Sequence, residues 1–303
     1  MTRNNGAMRG RFAPSPTGSL HLGNLRTALV SWLQTRTDGG EWLVRMEDLD
    51  RVTSSPQHEA SQLADLAALG MHSEAPVVRQ SERFALYNDA IATLQRLGRV
   101  YECYCSRREI REAAQAPHGD EADSDAYPGT CRELTAQRLA ELRAAGRPPA
   151  LRLRANGERF DIDDLIAGRY EGAADDVVIR RNDGIPAYNL AVVVDDAAQG
   201  ITHVTRGGDL LSSTPRQRLL QQLLRLPQPR YAHVPLVVGA DGTRLAKRHG
   251  AVTLAELAAK GVSAANVLEL LMASLGVAGG AAFRIEDVPR ERWACAPHLQ
   301  DLG

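Results

Sequence analysis

Residues 9–33 read RGRFAPSPTGSLHLGNLRTALVSWL. The apolar spacing predicts a short strand over residues 9–13, ended by the Pro-x-Pro turn, and then a helix whose leucines recur on one face. His21 lies at the start of this helix, where unpaired backbone N–H groups and the helix dipole favour a phosphate group. A Walker A loop is excluded, because its Gly-Lys-Ser/Thr ending is missing. The stretch therefore predicts the strand–loop–helix start of an α/β unit, with His21 either in a phosphate site or as a simple helix cap.

The rest of the chain alternates between strand and helix patterns. EWLVRM at 41–46 predicts a second strand, which is followed at once by an acidic turn at 47–50. Strands that alternate with helices predict a parallel sheet. The further predicted elements are strands at 187–195, 203–206 and 236–238, helices at 55–69, 83–97 and 215–224, and helices from residue 253 to the end.

Residues 101–181 break this pattern. Three of the four cysteines lie here, and we interpret the segment as an insertion with a core of its own. Its other features are a polar stretch at 116–125, a predicted helix at 135–145 and short alternating segments around 151–154 and 177–180. The predicted domains are 1–100 and 182–240 as two halves of one α/β domain, 101–181 as the insertion, and 241–303 as a basic loop with a helical C-terminal segment.

Composition narrows the class of protein. The 303 residues are 44% apolar and 24% charged, and the N-terminus lacks the apolar core of a signal peptide. The apolar runs are too short to span a membrane. Four cysteines are too few for a disulfide framework in a chain of this length. We therefore expect a cytoplasmic protein without membrane contact, in which clustered cysteines bind a metal.

A net charge of −1 conceals a basic region. Residues 201–250 contain eight Arg and Lys against two Asp, which suits a polyanion, although a solvated basic face would have the same composition. Within this region, TRLAKRHG at 243–250 follows a predicted strand and an Asp-Gly turn. Lys247 is one of two lysines beside 34 arginines, which suggests a position that needs a compact ammonium group. The loop is predicted to be a polyphosphate site, or else a solvated basic loop.

The two motifs together resemble the two signatures of class I aminoacyl-tRNA synthetases. RFAPSPTGSLHLGNLRTAL, RMEDLDR, QSERF, PAYNLAVVVDDAAQGITHVTRGGDL and LAKRHG also follow one another in the order found in the glutamyl-tRNA synthetase family, over nearly the whole chain. Asn24 stands at the last position of the family's His-x-Gly-His signature, and LAKRH resembles a degenerate KMSKS loop that keeps Lys247. The resemblance implies an α/β fold: a Rossmann-type parallel sheet with an inserted zinc-bearing subdomain and a helical C-terminal segment.

Within that family the chain resembles the glutamyl-queuosine branch, because no anticodon-binding domain is expected in the short segment after Lys247. This resemblance implies a monomer that activates L-glutamate with ATP and Mg²⁺ in the absence of tRNA. The glutamate is then esterified onto the queuosine base at the wobble position of tRNA(Asp). Two alternatives stay open, a truncated or split glutamyl-tRNA synthetase that charges the 3′ end of tRNA(Glu), and a non-catalytic tRNA-binding paralogue. The second is disfavoured because His21, Lys247, Arg11 and Glu47 are retained.

The substrates indicate what the site residues do. Glutamate activation expels pyrophosphate from ATP, so negative charge builds up on phosphate oxygens. The resemblance assigns His21 and Lys247 as the catalytic pair near those oxygens. By resemblance, the glutamate-binding residues are Arg11, Phe12, Ala13, Pro14, Ser15, Glu47, Tyr188 and Arg206, and the ATP-binding residues are Thr17, His21, Gly23, Asn24 and Lys247.

Glutamate carries two carboxylates and an ammonium, which require arginine forks and an acid. Arg11 and Arg206 fit the carboxylates, although which of them takes the side-chain carboxylate stays open, and Glu47 fits the ammonium. Ser15 and Tyr188 offer hydroxyl groups. Without the motifs, these residues would be interpreted as surface ion pairs, a turn hydroxyl and a core ring. The carboxylates left without a role are Asp195, Asp196 and Asp209.

The clustered cysteines form a third constellation. Three soft ligands at close spacing suit zinc, which takes four ligands in a tetrahedron. Tyr127 lies four residues before Cys131 and matches a tyrosine ligand of the glutamyl-queuosine branch, with His118 as the conventional rival. The predicted zinc ligands are Cys103, Cys105, Tyr127 and Cys131. A closed site of this kind is structural, and reduced cysteines without a metal are the alternative.

Overall fold

The structure, a computed structural model, describes residues 7–106, 108–110, 127–239, 252–277 and 282–295. His118 and Lys247 lie outside the described residues. The strands are β1 (Arg9–Phe12), β2 (Glu41–Met46), β3 (Val78–Arg79), β4 (Val100–Cys103), β5 (Ala150–Leu153), β6 (Arg159–Asp164), β7 (Gly168–Ala173), β8 (Val178–Arg180), β9 (His203–Gly207), β10 (Arg230–Val234), β11 (Val237–Val238) and β12 (Trp293–Ala294). The α-helices are α1 (Leu22–Thr37), α2 (Pro56–Ala68), α3 (Phe84–Arg96), α4 (Ala136–Ala144), α5 (Tyr188–Ala198), α6 (Thr214–Leu224), α7 (Leu254–Ala259) and α8 (Ala264–Ala273).

Within the described ranges, five strands form a parallel sheet in the order β10-β9-β1-β2-β3. Successive side chains of β2 alternate between its faces. Trp42 and Val44 pack in the core cluster that contains Leu25 of α1, whereas Leu43 packs with Val204 in a second cluster. A parallel sheet is covered on both faces because its crossover connections lie there. The expected α/β fold with a parallel sheet is confirmed.

The first strand and helix follow the prediction from the sequence closely. Strand β1 and helix α1 approach each other so tightly that a Cβ atom on Gly10 would lie 2.1 Å from Thr35 Oγ1. Leu22 and Leu25 are 0% exposed and fix the helix on the sheet. The loop between the two elements therefore lies at the carboxyl end of β1 and at the N-terminus of α1, two places that favour ligands.

Helix α5 corrects one predicted strand. The run at 187–195 is apolar and β-branched, which predicted a strand, but Tyr188–Ala198 is helical. The helix packs against α3 and α6, and its residues from Leu190 to Asp196 are all buried. A helix buried on every side shows no polar face, so the apolar period cannot separate it from a buried strand.

The insertion contains more strand than the sequence predicted. The segments around 151–154 and 177–180 are the strands β5 and β8, which join β4 in a three-stranded antiparallel sheet. The predicted helix at 135–145 is α4, capped by the Thr135 hydroxyl. The hairpin β6–β7 was not predicted, because its strands carry charged residues such as Asp161 and Glu171 on an exposed face. Asp164, the last residue of β6, reaches strand β10 of the central sheet.

The C-terminal part is less helical than expected. Helices α7 and α8 confirm the prediction up to Ala273, but a 3₁₀ turn at Ile285–Asp287 and the strand β12 follow. Strand β12 pairs in parallel with β11, and Pro289 between the turn and the strand cannot continue a helix. No helix in the described part of the chain is both long and apolar enough to cross a membrane.

Candidate active site

A cavity of about 540 Å³ opens at the carboxyl ends of β1, β9 and β10, beside the N-terminus of α1. This is the edge at which parallel α/β sheets bind their ligands. Every predicted glutamate-binding residue and every described ATP-binding residue lines the cavity. They are Arg11, Phe12, Ala13, Pro14, Ser15, Thr17, His21, Gly23, Asn24, Glu47, Tyr188 and Arg206.

His21 is the N-cap of α1. Its Nδ1 accepts hydrogen bonds from the backbone N–H of Gly23 at 3.1 Å and of Asn24 at 3.3 Å. The Asn24 side chain forms the reciprocal hydrogen bond, in which its Oδ1 accepts the His21 backbone N–H at 3.2 Å. This capping box accounts for asparagine at the last signature position. Because Nδ1 is an acceptor, the proton of the neutral ring lies on Nε2, so one histidine can cap the helix and donate to a phosphate.

The loop between β1 and α1 is held by Gln62, which the sequence analysis missed. Gln62 is 1% exposed, and its Nε2 donates to the carbonyls of Ser15 at 3.0 Å and Gly18 at 2.7 Å. The backbone N–H of Glu47 also donates to the Pro14 carbonyl at 2.9 Å. A glutamine on a neighbouring helix gives no local signal of such a contact, so only the structure reveals it.

Arg11 points into the cavity from a buried ion-pair network. Its Nε and Nη2 donate to the two carboxylate oxygens of Asp196 at 3.1 and 3.2 Å, and its Nη1 donates to the Thr205 carbonyl. Arg45 binds the same carboxylate at 2.7 Å. Burial would raise the pKa of Asp196, but Arg11 and Arg45 hold it below its usual range. Asp196 is thus an anion that orients Arg11.

Glu47 is a second buried carboxylate beside the same arginines. Its side chain is 9% exposed and lies 3.4 Å from Nη2 of Arg45. Burial raises the pKa of Glu47 even though Arg45 and Arg11 act against this shift. A bound ammonium would supply the countercharge that this carboxylate needs.

Arg206 is held by four acceptors. Its Nε donates to His233 Nε2, its Nη1 to Gln217 Oε1, and its Nη2 to Thr214 Oγ1 and the Leu210 carbonyl. One N–H on Nη1 therefore has no acceptor among the described residues. Tyr188 begins helix α5 and is 37% exposed at the cavity.

Further lining residues were missed or left without a role. Asp209 lines the cavity, although the sequence assigned this carboxylate no role. Residues 234–237, at and after the end of β10, form an apolar wall of the cavity. The additional lining residues are Gly18, Ser19, Leu20, Thr27, Gln62, Thr205, Gly207, Asp209, Leu210, Val234, Pro235, Leu236 and Val237.

The predicted metal ligands also come together. The sulfur atoms of Cys103, Cys105 and Cys131 lie within 4.8 Å of one another. The Tyr127 hydroxyl lies 3.4 Å from the Cys103 sulfur and 3.5 Å from the Cys105 sulfur, and the Cys105 and Cys131 sulfurs are 3.4 Å apart. A tetrahedral zinc with Zn–S near 2.3 Å and Zn–O near 2.0 Å has ligand–ligand edges of about 3.5–3.8 Å. The four groups therefore fit zinc, and the Arg152 guanidinium lies 3.6 Å from the Tyr127 ring centre.

Comparison with known proteins agrees with this geometry. The family model of class I tRNA synthetases (E and Q), catalytic domain, matches residues 7–282. The glutamyl-Q tRNA(Asp) synthetase of Nocardia farcinica is 57% identical over 290 residues, which cover 94% of this chain and 92% of the relative. That of Symbiobacterium thermophilum is 51% identical over 270 residues, covering 86% and 84%.

A solved structure supports the same assignment. The crystal structure of a glutamate tRNA ligase from Elizabethkingia meningosepticum, in complex with its amino acid, superposes with a TM-score of 0.82 at 25% identity. The match covers 97% of this chain and 68% of the ligase. The chain belongs to the family of class I tRNA synthetases (E and Q), in its group of glutamyl-Q tRNA(Asp) synthetases.

Proposed function

We propose that the chain activates L-glutamate with ATP, without tRNA, and transfers the glutamate to the queuosine base at the wobble position of tRNA(Asp). The observation that carries the proposal is that the candidate glutamate-binding residues and the N-terminus of helix α1, which favours phosphate, line the same cavity. The 57% identity of the chain to a glutamyl-Q tRNA(Asp) synthetase supports queuosine as the acceptor.

In the first half-reaction, a carboxylate oxygen of glutamate attacks the α-phosphorus of ATP, and the bond to pyrophosphate breaks. No protein nucleophile is needed, so catalysis consists of positioning and of stabilising charge on phosphate oxygens. Arg11 and Arg206 bind the glutamate carboxylates and Glu47 binds the ammonium. His21 donates from Nε2 near the α-phosphate, and Lys247 neutralises the leaving pyrophosphate. Mg²⁺ bound to the ATP phosphates would neutralise part of their charge.

In the second half-reaction, a hydroxyl of the queuosine cyclopentene diol attacks the carbonyl of the glutamyl-adenylate and AMP leaves. An unmodified guanine lacks this hydroxyl. We therefore propose that the modified base in the cavity supplies much of the acceptor specificity.

The deciding experiment separates activation from acceptor choice. Glutamate-dependent exchange of pyrophosphate into ATP, measured without tRNA, tests activation, and exchange that needs tRNA would contradict it. Transfer of labelled glutamate is then measured on tRNA(Asp) with and without queuosine, each with and without its 3′-terminal adenosine. We expect labelling to require queuosine and to survive removal of that adenosine. Labelling that follows the terminal adenosine would favour ordinary 3′-end charging, the alternative function.

Lys247 can be tested in the same exchange assay. Lys247→Ala removes a charge directed at phosphate and should lower the exchange rate by roughly 10²-fold or more, as for a single electrostatic donor. Lys260→Ala, the other lysine of the chain, is the matched control. Unchanged exchange in Lys247→Ala would show that the loop is only a solvated basic loop.

The metal centre is proposed to be structural. One zinc per chain would be held by Cys103, Cys105, Cys131 and Tyr127, which leave no open position for a substrate. When bound, the metal would tie strand β4 to the segment around Tyr127 and would supply no step of the reaction.

A further inference from the structure

Three buried side chains from three elements form a line that ends at the glutamate cavity. Asp164 closes strand β6, His233 lies on β10, and Arg206 lies opposite His233 in the parallel register of β9 and β10. Asp164 Oδ2 is 2.5 Å from His233 Nδ1, and Arg206 Nε donates to His233 Nε2 at 3.0 Å. The three residues are 3%, 2% and 5% exposed, and of the three only Arg206 lines the cavity.

The hydrogen bonds set the protonation of His233. An arginine Nε always carries its proton, so His233 Nε2 must be the acceptor. The proton of the neutral ring then lies on Nδ1 and is donated to Asp164. Burial and the nearby Arg206 lower the pKa of His233, which keeps the ring neutral, in spite of its bond to Asp164.

Asp164 is itself fixed as an anion. Its Oδ1 accepts the backbone N–H groups of Ile166, Ala167 and His233. Burial would raise the pKa of Asp164, but these bonds and the bond to His233 hold it below its usual range. The carboxylate therefore has one oxygen committed to the backbone and one committed to the histidine.

We propose that Asp164 and His233 are positioning residues for glutamate binding. Asp164 selects the histidine tautomer that accepts from Arg206, and this bond holds the guanidinium with its remaining Nη1 N–H at the cavity. The inference rests on the proposed function, because it concerns how Arg206 meets a glutamate carboxylate. It also assigns a role to the β6–β7 hairpin, whose Asp164 contacts His233.

Asp164→Asn tests the tautomer directly. Because three backbone N–H groups need an acceptor, the Asn oxygen takes the place of Oδ1 and its NH₂ faces His233 Nδ1. The ring must then accept at Nδ1 and carry its proton on Nε2, where it faces the Arg206 N–H. Two donors face each other, so Arg206 moves. The same type of exchange disrupts the tautomer in serine proteases.

The measurement is glutamate-dependent exchange kinetics on the full chain. We expect the KM for glutamate to rise about tenfold or more in Asp164→Asn, as for a displaced hydrogen-bonded charge, with the KM for ATP unchanged. His233→Gln keeps an acceptor near Nε2 and should stay close to wild type, whereas His233→Met, which has none, should behave like Asp164→Asn. Tyr101→Phe removes a hydrogen bond to the buried Asp176 away from the cavity and is the matched control.

The outcomes separate the two proposals. A wild-type chain without glutamate-dependent exchange would overturn the proposed function. An active wild-type chain would overturn the positioning role if Asp164→Asn kept its glutamate KM, or if the KM values for glutamate and ATP rose together. Thermal unfolding confirms that each variant is folded. Should Asp164→Asn not fold, the pair His233→Gln and His233→Met decides: equal glutamate KM values would contradict the inference.

Discussion

Arg11 and Arg45 share the carboxylate of Asp196 beneath the cavity, and none of the three is more than 6% exposed. Charges held in this way do not need to reorganise when glutamate arrives, because Arg11 is already oriented. Removal of one member would leave a buried charge without compensation. Asp196 is thus the counterion of Arg11, the arginine proposed to bind glutamate. The sequence alone assigned Asp196 no role.

Glu47 leads to a prediction about pH. Burial raises the pKa of this carboxyl, and only its ionised form pairs with an ammonium. Glutamate affinity is therefore full above the raised pKa and is lost as the pH falls through it, at a higher pH than for an exposed glutamate. We expect the KM for glutamate to rise on acidification in the wild type. In Glu47→Gln the KM for glutamate should be high at every pH and should depend less on pH.

Exchange kinetics across the neutral and acid range measures this effect. Glu82→Gln, which removes a carboxylate that is 65% exposed, should keep the wild-type profile. If Glu47→Gln retained the wild-type KM, the ammonium would have to bind elsewhere in the cavity.

At the level of elements, the loop between β1 and α1 depends on its neighbours. Gln62 of α2 binds two of its carbonyls, the residue after β2 binds the Pro14 carbonyl, and the N-cap of α2, Ser55, donates its backbone N–H to the Pro16 carbonyl. A loop that carries two prolines and few internal hydrogen bonds is made rigid by these contacts. The elements that follow β2 therefore shape the loop at which we propose that ATP binds.

Gln62→Met should weaken this support. The carbonyls of Ser15 and Gly18 lose their donor, which costs about 1–3 kcal/mol of unfolding free energy. The substitution also removes the buried Gln62 Oε1, which accepts no hydrogen bond from the described residues. Because a buried acceptor without a donor is destabilising, its removal offsets part of this cost. We expect a lower melting temperature and a higher KM for ATP. Gln57→Met on the exposed side of the same helix is the control, and equal ATP KM values in the two variants would contradict the loop-holding role.

The proposed zinc site, which joins strand β4 to the segment around Tyr127, leads to a prediction about metal binding. Elemental analysis should find one zinc per chain in protein purified without chelators. Cys131→Ala should lose the metal and Tyr127→Phe should bind it more weakly, because each removes one of four ligands. Cys295→Ala, which removes a buried cysteine outside the cluster, should keep it. Zinc held equally well in Tyr127→Phe would assign the fourth position to His118 or to water.

Across the whole molecule, the described part of the basic region, residues 201–239, does not form one face. Arg206 is buried at the cavity, and Arg216 forms an ion pair with Asp175. Arg225 and Arg230 are exposed after α6 and at the start of β10, which is the amino edge of the sheet. The cavity opens at the carboxyl edge, so Arg206 and the pair Arg225 and Arg230 lie at opposite ends of the sheet.

This arrangement predicts which arginines a tRNA needs. We expect Arg225→Ala/Arg230→Ala to keep the wild-type affinity for tRNA(Asp) and its dependence on salt. Each phosphate contact that is lost would reduce the slope of log affinity against log salt by about 0.7–0.9. Fluorescence anisotropy over a salt series measures the slope. A smaller slope in the double variant would place a tRNA contact on the amino edge.

Sequence reasoning recovered what depends on neighbouring residues. The loop between β1 and α1, its histidine cap, strand β2 with Glu47 after it, and the cluster of cysteines were all predicted, because turns, caps and apolar periods act over a few residues. The resemblance to a family added Tyr188 and Arg206, and all of the described candidates for glutamate and ATP binding line one cavity.

Only the tertiary structure decided the rest. Arg11 and Asp196 are 185 positions apart, and Asp164 and His233 are 69 apart, so no local pattern links them. Helix α5 was mistaken for a strand because burial on all sides removed its polar face. The sequence by itself thus determined the candidate groups for substrate binding. Packing determined which buried partners hold those groups in place, because such partners are defined by distance in space and not by distance along the chain.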